Sequence, residues 1–153
     1  MRMPRRWENP LTSTYDPNNI FAKILRGEAP CVKVYEDAAA LAFMDVMPRA
    51  NGHTLVIPKV PARTLFDIGP EDLARLMPTV QKVGRAVMAG MKAEGLSVMQ
   101  FNETAGGQQV FHLHFHLLAR WTGVALRPSG GPFQNAEALR PEAEKIIAAL
   151  GGA

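Results

Sequence analysis

The chain has 153 residues, enough for one domain with a substantial core of its own. Nearly half its residues are hydrophobic and a fifth are charged, which excludes an intrinsically disordered protein, and no apolar run is long enough to span a bilayer. Its 17 basic and 14 acidic residues leave a net charge of +3, and Arg2, Arg5 and Arg6 supply part of that excess without interleaved aromatics, so nucleic acid is not an expected partner. The single Cys31 excludes an internal disulfide and, with no apolar segment after the basic start MRMPRRWENP, leads us to expect a cytoplasmic protein.

In chain order, residues 1–18 read as a Pro-rich N-terminal extension. NNIFAKILRG then places Ile20, Phe21, Ile24 and Leu25 at helical spacing, with Asn18 or Asn19 as cap and Gly27 as stop. VKVYED, ALAFMDV and HTLVIPK read as strands, the last two joined by the turn-rich MPRANG. ARTLFDI reads as a short helix. GPEDLARLMPTVQKVGRAVMAGMKAEG is the long helix: Pro70 suits its first position, and Glu71 and Asp72 complement its positive end. Leu73, Leu76, Val80, Val83 and Val87 form its apolar stripe, and Pro78 predicts a kink. LSVMQFN and VFHLHFHLLAR are two more strands around ETAGGQ, followed by a Gly/Pro-rich loop and a final helix in NAEALRPEAEKIIAAL. Runs of strands around one main helix predict an α+β fold: an antiparallel sheet of about five strands, one long helix, a short N-terminal helix and a C-terminal helix. The expected organisation is an extension (1–18), a central domain (19–120) and a C-terminal loop and helix (121–153).

Three of the four histidines, His112, His114 and His116, alternate within HLHFHLL. On a strand, alternate residues share a face and lie roughly 6.5–7 Å apart, so Leu113, Phe115 and Leu117 should enter the core while one anionic group could meet several imidazoles opposite. Gly106, Gly107 and Gln108 place a flexible loop beside them, where backbone donors can approach a phosphate. Alternating histidines could equally hold zinc with a fourth ligand such as His53. From spacing alone, phosphorus chemistry and a metal site both stay open.

HLHFHLL, together with FMDVMPRANGHTLVIPK, IFAKILRGEAPCVKVYED and FNETAGGQQVFHLHFH in the same order, resembles the histidine-triad (HIT) family across about residues 19–120. The resemblance implies a nucleotide hydrolase or transferase, usually a homodimer with the two sheets joined edge to edge. It implies His114 as the nucleophile at an α-phosphate, His116 as a phosphate contact, His112 as the orienting residue and His53 beside them. It implies Asp45 at the ribose hydroxyls, Phe21, Phe43 and Val46 around a purine base, and Asn102, Gly107, Gln108 and Gln109 at the phosphate loop. No cofactor and no metal ligand are expected. The chain departs from the family where Gln109 replaces a common Ser or Thr that assists the leaving group, and where Ala119 replaces a common proline. It also departs at the zinc site that some relatives carry, whose positions are here Asn19, Ala22 and Pro61.

The expected activity is hydrolysis of purine nucleoside phosphoramidates or acyl-nucleotides through a nucleotidyl-histidine. Dinucleoside polyphosphate hydrolysis, a metal-dependent hydrolase on the histidine cluster, and a nucleotide-binding regulatory module with weak catalysis are the alternatives.

Overall fold

The computed structural model describes residues 15–151; residues 1–14 of the expected extension, with Arg2, Arg5 and Arg6, lie outside them. The elements are α1 (Ile20–Leu25), β1 (Lys33–Glu36), β2 (Ala40–Met44), β3 (Thr54–Pro58), α2 (Pro70–Gly90), β4 (Gly95–Met99), β5 (Phe115–Arg120) and α3 (Ala136–Gly151). The strands form one antiparallel sheet in the order β1-β2-β3-β5-β4. This is the α+β architecture expected from the sequence, including the C-terminal helix. No helix among the described residues is long and apolar enough to cross a membrane.

Strand alternation divides the protein into two layers of core. Ala40, Ala42 and Met44 of β2, Val56 of β3, and Phe115, Leu117 and Ala119 of β5 face α2 and α3, where Leu76, Val80, Val83 and Val87 of α2 meet them. Leu41, Phe43, Leu55 and Ile57 face the other way and pack on Phe21 of α1. The β2–β3 register sets Leu41 opposite Ile57 and Phe43 opposite Leu55, and Leu55 in turn opposes His116 of β5. Directly opposed residues share a face. His116 is therefore committed to the α1 side, and Leu117 to the α2 side, by the pleat alone.

α1 is short and closed at both ends. The Asn19 side chain accepts a hydrogen bond from Ala22 N at 2.9 Å. At the other end Gly27, with φ of 77°, donates to Ile24 O while Glu28 N donates to Lys23 O, a Schellman closure that glycine permits. α3 adds Leu139, Ala143 and Ile146 to the larger core. It crosses α2 so closely at Gly90 that an added Cβ would stand 2.7 Å from Lys145 O.

Two local expectations are corrected. ARTLFDI forms turns instead of a helix: Phe66 N, which would donate to Ala62 O in the first helical turn, donates to Thr64 Oγ (3.2 Å), and Ala62 O accepts from Leu113 N (2.7 Å). A side chain and a distant backbone amide thus take the two groups that turn would pair. α2 is assigned as one helix through Pro78, which lies on its exposed side. Finally, β5 starts at Phe115, so only His116 of the three alternating histidines lies in a strand. His112 and His114 precede it in an irregular segment, because the His112 carbonyl is used by a side chain and not by a ladder partner.

Candidate active site

The histidines converge where the start of β5 meets the β2–β3 hairpin and α1. His112 and His114 are buried, at 0% and 7% exposure, and so is His53, which enters just ahead of β3; His116 is partly exposed. The rings of His114 and His116 lie 4.9 Å apart, and those of His53 and His116 5.2 Å apart. Phe21 stands edge-on to both His114 (5.0 Å) and Phe43 (5.3 Å), and Phe101 stands against His116.

Backbone groups dictate where the protons of His53, His112 and His114 sit, and His53 in turn sets that of His116. An amide N–H can only donate and a carbonyl can only accept. Arg49 N donates to His53 Nδ1 at 3.0 Å, so the proton of neutral His53 is on Nε2. That nitrogen lies 2.9 Å from His116 Nδ1, which must accept, leaving the His116 proton on Nε2. Pro58 O, 2.9 Å from His112 Nε2, places the His112 proton there. The His112 carbonyl, 2.7 Å from His114 Nδ1, holds the His114 proton on Nδ1 and leaves Nε2 with a bare lone pair. The site therefore presents one nucleophilic nitrogen and, two residues away, one N–H donor.

Burial keeps these rings neutral. It pushes His53 down to about 3, helped by His116 and by the charges of Arg49 and Arg127. Burial, then the proximity of His114 and Arg49, pushes His116 down to about 3, and burial brings His112 to about 4 despite the bond to Pro58. His114 is lowered for the same reason. The unfolded chain takes up these protons below pH 6.5 and the folded chain does not. Stability linked to them is complete above pH 6.5 and declines as pH falls from there towards 3, by up to about 1.4 kcal/mol per pH unit for each histidine. Thermal melts at pH 7 and pH 5 should show the lower Tm at pH 5, with a shallower slope for His53→Gln; equal Tm values would contradict the buried, neutral assignment.

Asp45 closes the constellation at the end of β2. Its Oδ1 accepts from Met47 N at 2.8 Å, and its Oδ2 lies 3.4 Å from His53 Nε2. Burial raises its pKa, partly offset by the Met47 bond. Asp45, His53 and His116 bring three donor atoms within 4.8 Å of one another, a spacing a metal ion could use. Their protonation does not fit one. His53 Nδ1 already accepts from an amide, so an ion on Nε2 would require a fully deprotonated imidazole. The other zinc positions considered are also unsuitable: Asn19 caps α1, Ala22 is a buried apolar residue and Pro61 offers no ligand atom.

The remaining expected site residues divide. Phe21 and Phe43 are brought to the histidines, but Val46 is exposed and its carbonyl accepts from Gln134 N of the C-terminal loop. Gln108, only 2% exposed, spends its amide on Glu103 N, Arg63 O and Val110 O, and so braces the loop from inside. Asn102 accepts from Leu65 N and pairs with Gln100. Gly107 adopts φ of 99° beneath Phe101. Gln109 is exposed, and its amide lies 3.2 Å from Ser129 Oγ. Two neighbours were not anticipated. Arg49 lies in the turn-rich MPRANG, where no motif marks it, and Tyr15, whose hydroxyl touches His112, belongs to the stretch that reads as an extension.

Comparison with known proteins identifies the domain and its fold. Residues 26–123 match the HIT domain model. An adenosine 5′-monophosphoramidase of Schizosaccharomyces pombe is 41% identical over 66% of this chain and 73% of its own. An adenylylsulfatase of Arabidopsis thaliana is 31% identical over 91% of this chain and 71% of its own. A crystal structure of a HIT-like protein from Bartonella henselae superposes with a TM-score of 0.85 at 50% identity, covering 90% of this chain and 99% of the other. With a matching domain, a shared fold and the alternating histidines gathered around one free imidazole nitrogen, the chain belongs to the histidine-triad family.

Proposed function

We propose that this protein hydrolyses purine nucleoside phosphoramidates or acyl-nucleotides at the α-phosphorus, with His114 as nucleophile. The observation that carries the reading is the proton held on His114 Nδ1 by the His112 carbonyl, which leaves Nε2 free and unprotonated. Nε2 attacks phosphorus, a P–N bond forms, and the bond to the leaving group breaks with its electron pair. Water then attacks the same phosphorus, the P–N bond breaks, and the nucleoside monophosphate leaves. The His116 Nε2–H donates to a non-bridging phosphate oxygen as charge develops there. Asp45 accepts from the ribose hydroxyls through the oxygen not held by Met47, and Phe21 and Phe43 border the base. Gln109 offers an amide, which is no acid, so the leaving group takes its proton from solvent.

A second reading, with an anionic leaving group such as that of a dinucleoside polyphosphate, has its own observation. Arg49, Arg120 and Arg127 line a cavity of about 260 Å³ between the β2–β3 hairpin and the loop after β5. Among the described residues none of the three has a carboxylate partner. Their guanidiniums are held instead by Arg127 O, Ser97 Oγ, Pro48 O and Asn51 Oδ1. The charge of Arg49 reaches His53 and His116. For the assembly, we propose a homodimer joined along β4, an edge strand whose Val98 is 50% exposed.

The test is kcat/KM on adenosine phosphoramidate, an acyl-adenylate and diadenosine polyphosphates, with rapid-quench isolation of a nucleotidyl adduct on His114. Turnover with an adduct is the expected result, and absence of both on every substrate would overturn the reading. Arg49→Gln with Arg120→Gln should lower kcat/KM on the polyphosphates about tenfold or more and leave the phosphoramidate within about twofold. An equal effect on both would remove the second reading.

A further inference from the structure

Tyr15 has no role in the chemistry above, yet its hydroxyl lies 2.6 Å from Nδ1 of His112, across 97 residues of sequence. Its ring meets the His112 ring edge-on, with centroids 5.6 Å apart. The direction of the bond follows from the far side of the imidazole. His112 Nε2 donates to Pro58 O, so in the neutral ring Nδ1 carries only a lone pair, and the phenol must donate to it. No buried side-chain nitrogen or oxygen among the described residues lacks a partner, and for His112 Nδ1 the partner is Tyr15.

The position of His112 matters because its segment is not held by a strand ladder. β5 begins three residues later, at Phe115. Two ties fix the stretch: Leu113 N donates to Ala62 O at 2.7 Å, and the His112 side chain donates to Pro58 O at the end of β3. The second tie exists only while the His112 proton stays on Nε2. Loss of the phenol donor would leave a bare lone pair at a fully buried nitrogen. The ring could then turn over or move its proton to Nδ1, and either change breaks the bond to Pro58.

Tyr15 is itself anchored. Asn18 N donates to Asp16 Oδ1, Asn19 donates to Asp16 O, and Arg26 reaches back to Pro17 O at 2.7 Å. The stretch from Tyr15 to Phe21 thus grips two histidines at once, Tyr15 against His112 and Phe21 against His114.

We propose that Tyr15 is a positioning residue: its hydroxyl locks His112 in the Nε2–H tautomer, and so holds the His112 carbonyl where it fixes the proton of His114 on Nδ1. The proposal rests on the reading of His114 as nucleophile. Tyr15→Phe and Tyr15→Ala, each in the full chain, separate the hydroxyl from the ring. The expected result is a fall in kcat of about tenfold in both, with KM on adenosine phosphoramidate within about twofold of wild type. In 15N spectra, the wild type should show an unprotonated, hydrogen-bonded Nδ1 and a protonated Nε2 for His112, and Tyr15→Phe should lose that pattern. A role in packing alone predicts a normal kcat for Tyr15→Phe and a loss only for Tyr15→Ala. A normal kcat for Tyr15→Phe, or a lowered kcat with unchanged His112 signals, would overturn the proposal. If the wild type turns over no nucleotide, the proposed function fails, and unchanged His112 signals in Tyr15→Phe would still refute the lock by themselves.

Discussion

His114→Ala is expected to lower turnover by at least about 10³-fold while nucleotide affinity stays within a few-fold of wild type. The loss follows from the single free lone pair of the site. His53 Nδ1 accepts from Arg49 N, His116 Nδ1 accepts from His53, and His112 Nδ1 accepts from Tyr15, so no neighbour can replace His114 Nε2 as nucleophile. Affinity should survive because Asp45 and the His116 N–H are held by Met47 N and His53 Nε2, and Phe21, which loses its edge contact with His114, keeps that with the Phe43 ring. Titration calorimetry with AMP and single-turnover kinetics on the same preparation give the two readouts. A variant that retains wild-type turnover would show that another atom attacks phosphorus.

Ile146→Ala should cost about 2–5 kcal/mol and lower Tm by roughly 5–15 °C. Ile146 is fully buried in the larger core, beside Leu139 and Ala143 of the same helix. The backbone there cannot settle inward to fill the space, because Gly90 of α2 already stands against the Lys145 carbonyl and Ile146 Cα. A cavity is therefore the expected outcome. Thermal or denaturant unfolding measures it, and a shift of less than about 1 °C would mean that α3 unfolds separately from the rest of the domain.

Such a loss is informative because α3 reads in the sequence as an appendage after the central domain. Its contribution to the core depends on a close crossing at Gly90, and no local pattern in GGPFQNAEALRPEAEKIIAAL states which surface that helix will meet. The same limit applies to Gln108. The family resemblance implied a contact with phosphate, whereas Glu103 N, Arg63 O and Val110 O engage its side-chain amide. ARTLFDI departs from a helix for a related reason: Thr64 Oγ takes Phe66 N, and Leu113 N takes the Ala62 carbonyl that a first helical turn would use.

By itself the sequence determined the order of the five strands and of α1, α2 and α3, the two faces of the sheet, and the residue types at the site. Period-two alternation is a local property, so within β5 Phe115 and Leu117 were bound to enter the core while His116 faced the other way. The family resemblance added His53 and Asp45 from a hairpin about sixty residues earlier. Only the tertiary structure decided the protonation of His112 and His116, because Pro58 O and His53 Nε2 reach them from distant parts of the chain. It also decided that the hydroxyl of Tyr15 closes on His112. A tautomer is set by whichever donor or acceptor faces each ring nitrogen, and in this fold most of those partners lie far away along the chain.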